Sequence, residues 1–167
     1  MKRSLFYILI FTLLSACSIS YKFNGASIDY NVTKTLYLAN FPNQAPLVYP
    51  PLEQRFNEEL KDIFTRNTKL RFVNQNADLE IEGEIVGYEL TPMAVQEDAL
   101  ASETRLTMTV KMRFRNNKVE EQNKEETFSA YRNFPSDRML TDVQDQLIKE
   151  LIGDIVDQIF NSTMSNW

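Results

Sequence analysis

From Arg105 to Arg115 the chain alternates without a break. Leu106, Met108, Val110, Met112 and Phe114 are interleaved with Arg105, Thr107, Thr109, Lys111, Arg113 and Arg115. A period of two marks a β-strand with one apolar and one polar face. Such a strand needs hydrogen-bonded neighbours and an apolar cover on one side, which rules out an all-helical chain. A second long strand is predicted from Asp78 to Leu90. There Leu79, Ile81 and Ile85 share one parity, and Glu80, Glu82 and Glu84 the other. Gly83 and Gly87 mark a bulge, because the apolar parity then shifts to Val86, Tyr88 and Leu90.

If these two strands form a hairpin about a loop at residues 91–104, one register sets Glu80 opposite Arg115, Glu82 opposite Arg113 and Glu84 opposite Lys111. Cross-strand charge pairs stabilise by about 0.2–1 kcal/mol each. They account for the charged ladder without a ligand. In that register Arg105 stands opposite Leu90 and has no acidic partner.

Thr35–Phe41 reads as a first strand, and Pro42, Pro46, Pro50 and Pro51 interrupt the chain after it. Pro51 fits the first turn of a helix, where its missing N–H costs nothing. Leu52, Phe56, Leu60, Ile63 and Phe64 then recur at helical spacing up to about Asn67. Leu70–Val73 is a short strand, followed by a turn at Asn74-Gln75-Asn76. A last strand runs from Glu126 to Phe134, with Phe128 and Ala130 inward, and Pro135 stops it. Thr141 is predicted to cap a final helix with Gln144 as its capping-box partner. That helix carries a broad apolar stripe of Val143, Leu147, Ile148, Leu151, Ile152, Ile155, Val156, Ile159 and Phe160. The pattern predicts an α+β sandwich within the α/β class. Two helices cover one face of a roughly four-stranded mixed sheet, in the order β-α-β-β-β-α. The other face is left to solvent or to a partner.

The N-terminus has a separate purpose. Met1-Lys2-Arg3 precedes an apolar stretch from Leu5 to Leu14, broken by Thr12. The stretch is shorter than the ~20 residues a membrane span needs, and it reads as a secretory signal. Leu14-Ser15-Ala16-Cys17 follows: small side chains before a cut, then a thiol for acylation. This string resembles the bacterial lipobox at every position. It predicts cleavage between Ala16 and Cys17, with Cys17 as the lipid anchor. Residues 1–16 form the signal, 17–32 a lipidated tether and 33–167 one domain. Cys17 is the only cysteine, so the domain has no disulfide to hold it. Loss of Lys2 and Arg3 takes the net charge from −5 to −7, which argues against nucleic acid as a partner.

Catalysis finds little to use. The chain has no histidine, its one thiol is taken by the lipid, and no glycine-rich phosphate loop occurs. No metal-ligand spacing of Cys and His is present, and no cofactor is implied. Glu80, Glu82 and Glu84 alternate with core residues as a solvated face does. The expectation is a protein that is not an enzyme. The row Arg105, Lys111, Arg113 and Arg115 has two readings, cross-strand pairing or an anion contact, and Arg105 is the best single anion candidate. The hairpin loop is long and carries Met93, Val95 and Leu100. These residues either pack on their own sheet or contact a partner or lipid.

Several segments, in order, resemble the LptE family of lipopolysaccharide-assembly lipoproteins. They are Tyr21-Lys22-Phe23-Asn24-Gly25-Ala26-Ser27-Ile28, Asn40-Phe41-Pro42-Asn43, Ala45-Pro46-Leu47-Val48 and Ala77 to Ile85. Tyr88, Thr91-Pro92-Met93-Ala94, Arg105-Leu106-Thr107, Val110, Phe128-Ser129-Ala130-Tyr131 and Asn166-Trp167 complete the set. The resemblance implies a two-helix, four-stranded sandwich anchored on the periplasmic side of a Gram-negative outer membrane. It implies a plug inside the large β-barrel LptD, and contact with lipopolysaccharide through basic residues near one end of the sheet. A different accessory lipoprotein, such as a secretin pilot or a cell-wall synthase activator, is the competing expectation, since fold alone does not set function. Ser18 after the cysteine, in place of Asp, is compatible with outer-membrane sorting.

Cys17→Ser is expected to leave an uncleaved or mislocalised precursor. Metabolic labelling with radioactive palmitate checks it: the parent incorporates label and the variant does not.

Overall fold

The structure, a computed structural model, describes residues 28–93 and 102–164. The sheet is built from β1 (Thr35–Leu38), β2 (Arg71–Phe72), β3 (Leu79–Pro92), β4 (Glu103–Asn116) and β5 (Lys124–Pro135), in the spatial order β2-β1-β3-β4-β5. Helix α1 spans Pro51–Asn67 and α2 spans Leu140–Met164. The class is as expected, but the sheet has five strands. The short strand expected at Leu70–Val73 is present as β2 and pairs parallel with β1, so the expected count of about four strands and the order β-α-β-β-β-α fall one strand short. β1 is also parallel to β3, whereas β3, β4 and β5 form an antiparallel meander. The signal segment, Cys17, Ala16, the tether up to residue 27, Val95, Leu100 and Asn166-Trp167 lie outside the described residues.

The alternation in β4 does what its period requires. Leu106, Met108, Val110, Met112 and Phe114 are all buried under the two helices. Both helices present the expected stripes: Leu52, Phe56, Leu60, Ile63 and Phe64 from α1, and Leu147 through Ile159 from α2. They meet edge to face at Phe64 and Phe160, with ring centroids 5.2 Å apart. Pro51 occupies the first turn of α1. Thr68 ends that helix, its backbone N–H and its hydroxyl both donating to the Phe64 carbonyl at 3.1 and 2.8 Å. Ile28, ahead of the expected boundary at residue 33, is buried against the core.

Two details differ at α2 and the hairpin. The helix starts at Leu140, and Gln144 does not complete a capping box. Its side-chain amide donates instead to the Tyr88 hydroxyl at 2.6 Å. Tyr88 is fully buried and needs a polar partner for its phenol, which the backbone N–H of a helix cap does not. In the hairpin, pairing runs one to one from Leu79↔Asn116 to Ile85↔Val110, then shifts so that Gly87 faces Thr109. Val86 is the extra residue. Gly83 lies on the covered face, and a Cβ there would collide with the Phe41 ring and the Lys111 carbonyl. Its missing side chain is what lets Phe41 into the core, where it stacks on Phe56 at 5.4 Å.

Asp78 joins three segments at the end of the sheet where β1 and β3 begin. Its Oδ2 accepts from Lys34 N–H (2.8 Å), Thr35 N–H (3.0 Å) and the Thr35 hydroxyl (2.9 Å). The Asp78 N–H donates back to Thr35 Oγ1 at 2.9 Å. Its Oδ1 lies 3.1 Å from Lys118 Nζ, and its carbonyl accepts from Asn117 N–H at 2.9 Å. Burial alone would raise the Asp78 pKa. The donors from Lys34, Lys118 and Thr35 outweigh it and hold the carboxyl at about 2, below its ordinary 3.8.

A depressed carboxylate stabilises the fold above its unfolded pKa and loses that contribution as pH falls through its folded value. Asp78→Asn is therefore expected to cost about 2 kcal/mol near neutral pH. The deficit relative to the parent shrinks between about pH 4 and pH 2, as the parent carboxylate protonates. Urea denaturation of both chains across that range checks the size and the pH at which the curves meet.

Candidate functional site

The uncovered face of the sheet collects the polar parities of β3, β4 and β5. Its cross-strand rows follow from the register. Glu80, Glu82 and Glu84 stand opposite Arg115, Arg113 and Lys111, as the sequence predicts. The side chains then choose partners by reach. Arg113 turns to Glu125 of β5, Nε to Oε1 at 2.6 Å. Arg115 spreads between Glu80 and Glu82 at 3.6 and 3.8 Å. Lys111 is exposed and makes no ion pair among the described residues; it borders an open depression of about 440 Å³ with Glu82, Glu84, Arg113, Glu125 and Thr127. This end of the face balances its charges locally and is not a basic patch.

Beyond the bulge the face changes character. Gly87, Thr109 and Ser129 form a narrow row, with the Thr109 and Ser129 hydroxyls 3.2 Å apart. Past them lies Arg105. It stands opposite Thr91, not Leu90, because Val86 adds one residue to β3. Nor is it without partners. Its guanidinium lies over the Tyr131 ring at 4.0 Å, and its Nε donates to Asn133 Oδ1 at 3.0 Å. Asn133 Nδ2 in turn donates to Glu103 Oε2 at 2.9 Å. Arg105 is thus a flat cation fixed from below and from one side. Its two terminal nitrogens have no hydrogen-bond partner among the described residues.

Tyr131 and Asn133 are the residues that reading by charge alone misses. The available signal is parity: Tyr131 is an aromatic on the polar side of β5, between Ser129 and Asn133, and it is 54% exposed. The hairpin also closes later than expected. Pairing extends to Pro92↔Thr104, and Met93 N–H donates to the Glu103 carbonyl at 2.9 Å. Met93, the described member of the apolar loop trio, therefore sits at the strand end beside Arg105, partly exposed. The structure brings Arg105 and Met93 together at one end of the sheet and sets Lys111, Arg113 and Arg115 apart at the other.

Two helices on one side of a mixed sheet, with the other side uncovered among the described residues, define a two-layer α+β domain. The model of the LptE family, described as lipopolysaccharide-assembly, matches residues 33–163, and the chain belongs to that family. Solved structures share the fold at low identity. A minor lipoprotein from Acinetobacter baumannii is 18% identical, with a TM-score of 0.53, covering 78% of this chain and 91% of its own. The rare lipoprotein B of Shewanella oneidensis is 17% identical, with a TM-score of 0.51 and coverages of 77% and 92%. A hypothetical protein from Chlamydia trachomatis is 12% identical, with a TM-score of 0.54 and coverages of 80% and 99%. No curated protein matches the chain in a sequence comparison.

Arg113 and Glu125 are both more than half exposed, so their ion pair is screened by water. A double-mutant cycle with Arg113→Ala and Glu125→Ala is expected to give a coupling of about 0.2–1 kcal/mol in thermal or urea unfolding. That coupling should fall as salt is raised.

Proposed function

We propose that this chain is an outer-membrane lipoprotein that occupies an LptD-like β-barrel and assists insertion of lipopolysaccharide into the outer leaflet. It is held at the periplasmic side through Cys17. The lipid contact in this proposal is the Arg105 end of the open face. One observation carries it: Arg105 stacks on exposed Tyr131, is oriented by Asn133, and leaves its terminal nitrogens open beside Met93. A guanidinium held flat is ready for two parallel hydrogen bonds to a phosphate or carboxylate, and holding it in advance lowers the entropy lost on binding. Met93 offers apolar contact next to that charge, matching a ligand that joins acyl chains to an anionic head group. Charge elsewhere favours the same end. Helix α2 carries Asp142, Asp145, Glu150, Asp154 and Asp157 against Lys149 alone, and the cations that reach it, Arg55 and Arg132, are already engaged with three of these acids. At the far end of the sheet, Arg113 and Arg115 are already engaged with glutamates.

Arg105→Ala is expected to weaken binding of purified protein to lipopolysaccharide about tenfold or more. Tyr131→Ala should weaken it less, by releasing the guanidinium. Arg113→Ala should leave it within about twofold, a change of roughly 0.4 kcal/mol. Co-purification with the barrel, measured in parallel, separates the two surfaces. If lipid affinity holds in Arg105→Ala while barrel recovery falls, the site belongs to the barrel interface. A tagged pull-down from detergent-solubilised membranes decides the partner: recovery of a secretin or a cell-wall synthase in place of a large β-barrel overturns the proposal.

A further inference from the structure

A group of cations gathers at the end of the sheet where the chain enters the domain. The backbone turns between Asp29 and Thr33, with Val32 N–H and Thr33 N–H donating to the Asp29 carbonyl at 3.0 and 2.8 Å, and Lys34 then leads into β1. Arg71 N–H donates to the Lys34 carbonyl at 2.9 Å, which sets the start of β2 beside it. Lys69 Nζ lies 5.9 Å from the centre of the Tyr30 ring, on the entry turn. Lys118, just past the end of β4, reaches the same place, 3.1 Å from Asp78 Oδ1. Lys34, Lys69 and Arg71 are exposed and form no ion pair among the described residues. Two acids stand among these cations, and backbone donors hold both. Asp78 accepts from Lys34 N–H and Thr35 N–H, and Asp29 Oδ1 accepts from Asn31 N–H at 2.9 Å. Glu120 and Glu121 lie further off, in the turn between β4 and β5. Four cations against two acids reverse the sign of a chain with 23 acidic and 18 basic residues. Val32 and Val119, 52% and 39% exposed, add apolar surface at this end.

We propose that this end of the domain docks on the membrane surface that holds the Cys17 lipid, with Lys34, Lys69 and Arg71 against the phosphates of anionic phospholipids. The docking rests on the Cys17 anchor proposed above. Two observations select the membrane as the partner. The first is the length of the tether. Ile28, buried in the core beside the entry turn, comes eleven residues after Cys17. Fully extended, that stretch reaches about 40 Å at most. The anchor therefore keeps this end, before any other, close to the lipid surface, and at such an effective concentration weak contacts suffice. The second is charge. An anionic leaflet attracts Lys and Arg within about a Debye length of its surface. It repels the acidic remainder of the chain, helix α2 above all, so only the Lys34 end is drawn in. Val32 and Val119 can then rest among the head groups beside the cations. β4 sets Arg105 ten residues from Arg115, about 33 Å along the strand. Docking by the Lys34 end thus points the Arg105 site away from the anchored leaflet. One copy suffices, and the far end is left free to enter a barrel whose periplasmic mouth opens at that surface.

Because the lipid takes the Cys17 thiol, a cysteine placed at Val32 is the only free thiol. Val32→Cys in the full acylated chain, labelled with a polarity-sensitive fluorophore, is mixed with vesicles of phosphatidylcholine, alone or with about 30% phosphatidylglycerol. Flotation with the neutral vesicles reads the anchor. The label should brighten at least about threefold more on the anionic vesicles than on the neutral ones. That difference should vanish at about 0.5 M salt. A label on Asp137→Cys, in the turn after β5 at the opposite end, should show no such difference. Lys34→Gln, Lys69→Gln and Arg71→Gln together, added to Val32→Cys, should weaken docking roughly tenfold or more while the circular dichroism stays that of the parent. A chain that does not float with neutral vesicles lacks the anchor, and the anchor and the docking fall together. A chain that floats but whose Val32 label responds equally on both vesicles, or is untouched by salt or by the triple substitution, overturns the docking alone. So does a response that needs a co-reconstituted barrel, which would make this end a protein contact.

Discussion

A half-buried carboxylate, held ionised by its donors, governs how this sheet is put together. A parallel strand cannot be joined to its neighbour by a tight turn, so β1 must be located by something other than its connection. Asp78 supplies that location. Two consecutive N–H groups and a hydroxyl from Lys34 and Thr35 converge on one carboxylate oxygen, and Lys118 holds the other. With β1 fixed beside β3, Leu36 comes level with Leu79 and Phe41 reaches the gap over Gly83. Helix α1 can then lay Phe56 against Phe41. The antiparallel part of the sheet needs no such device, because its register follows from two hairpins and from apolar parity.

The open face shows how little a row of cations says by itself. Arg113 and Arg115 lie on a surface that is wet and already carries glutamates, so their fields are cancelled within a few ångströms. Arg105 differs through its surroundings. No carboxylate lies within ion-pair distance of it among the described residues, and an aromatic ring and an amide hold it in a single pose. Rigidity and the absence of a nearby anion, more than charge, set it apart.

Much of this was legible in the residues. Unbroken alternation marked β4, and its glutamate-lined partner gave the correct pairing up to Ile85. Helical spacing and Pro51 located α1 at both ends. What escaped depended on tertiary neighbours. Gln144 has the spacing of a capping-box residue but goes to Tyr88, because a buried phenol competes more strongly for its amide than an exposed helix end does. β2 lies within the short strand expected at Leu70–Val73, but its parallel pairing with β1 carries no local signal. Tyr131 carries no charge, and its part in the site comes only from the cross-strand position that puts its ring under Arg105. The parity of Tyr88 reveals the bulge, and the extra residue it adds to β3 moves the partner of Arg105 from Leu90 to Thr91.

That extra residue at Val86 makes the hairpin a message read in two frames. Below it, odd positions of β3 point to the helices; above it, even positions do. Deleting Val86 would restore one-to-one pairing and leave Ile85 and Tyr88 both turned to the helices, whereas deleting a residue from the regular stretch after Tyr88 would turn the strand end over. Insertions and deletions at the tip, past Met93, leave both frames untouched. A change of length is therefore absorbed at the tip or at the bulge and penalised in the regular stretches between them, so the loop can diversify in length while the platform beneath it stays in place.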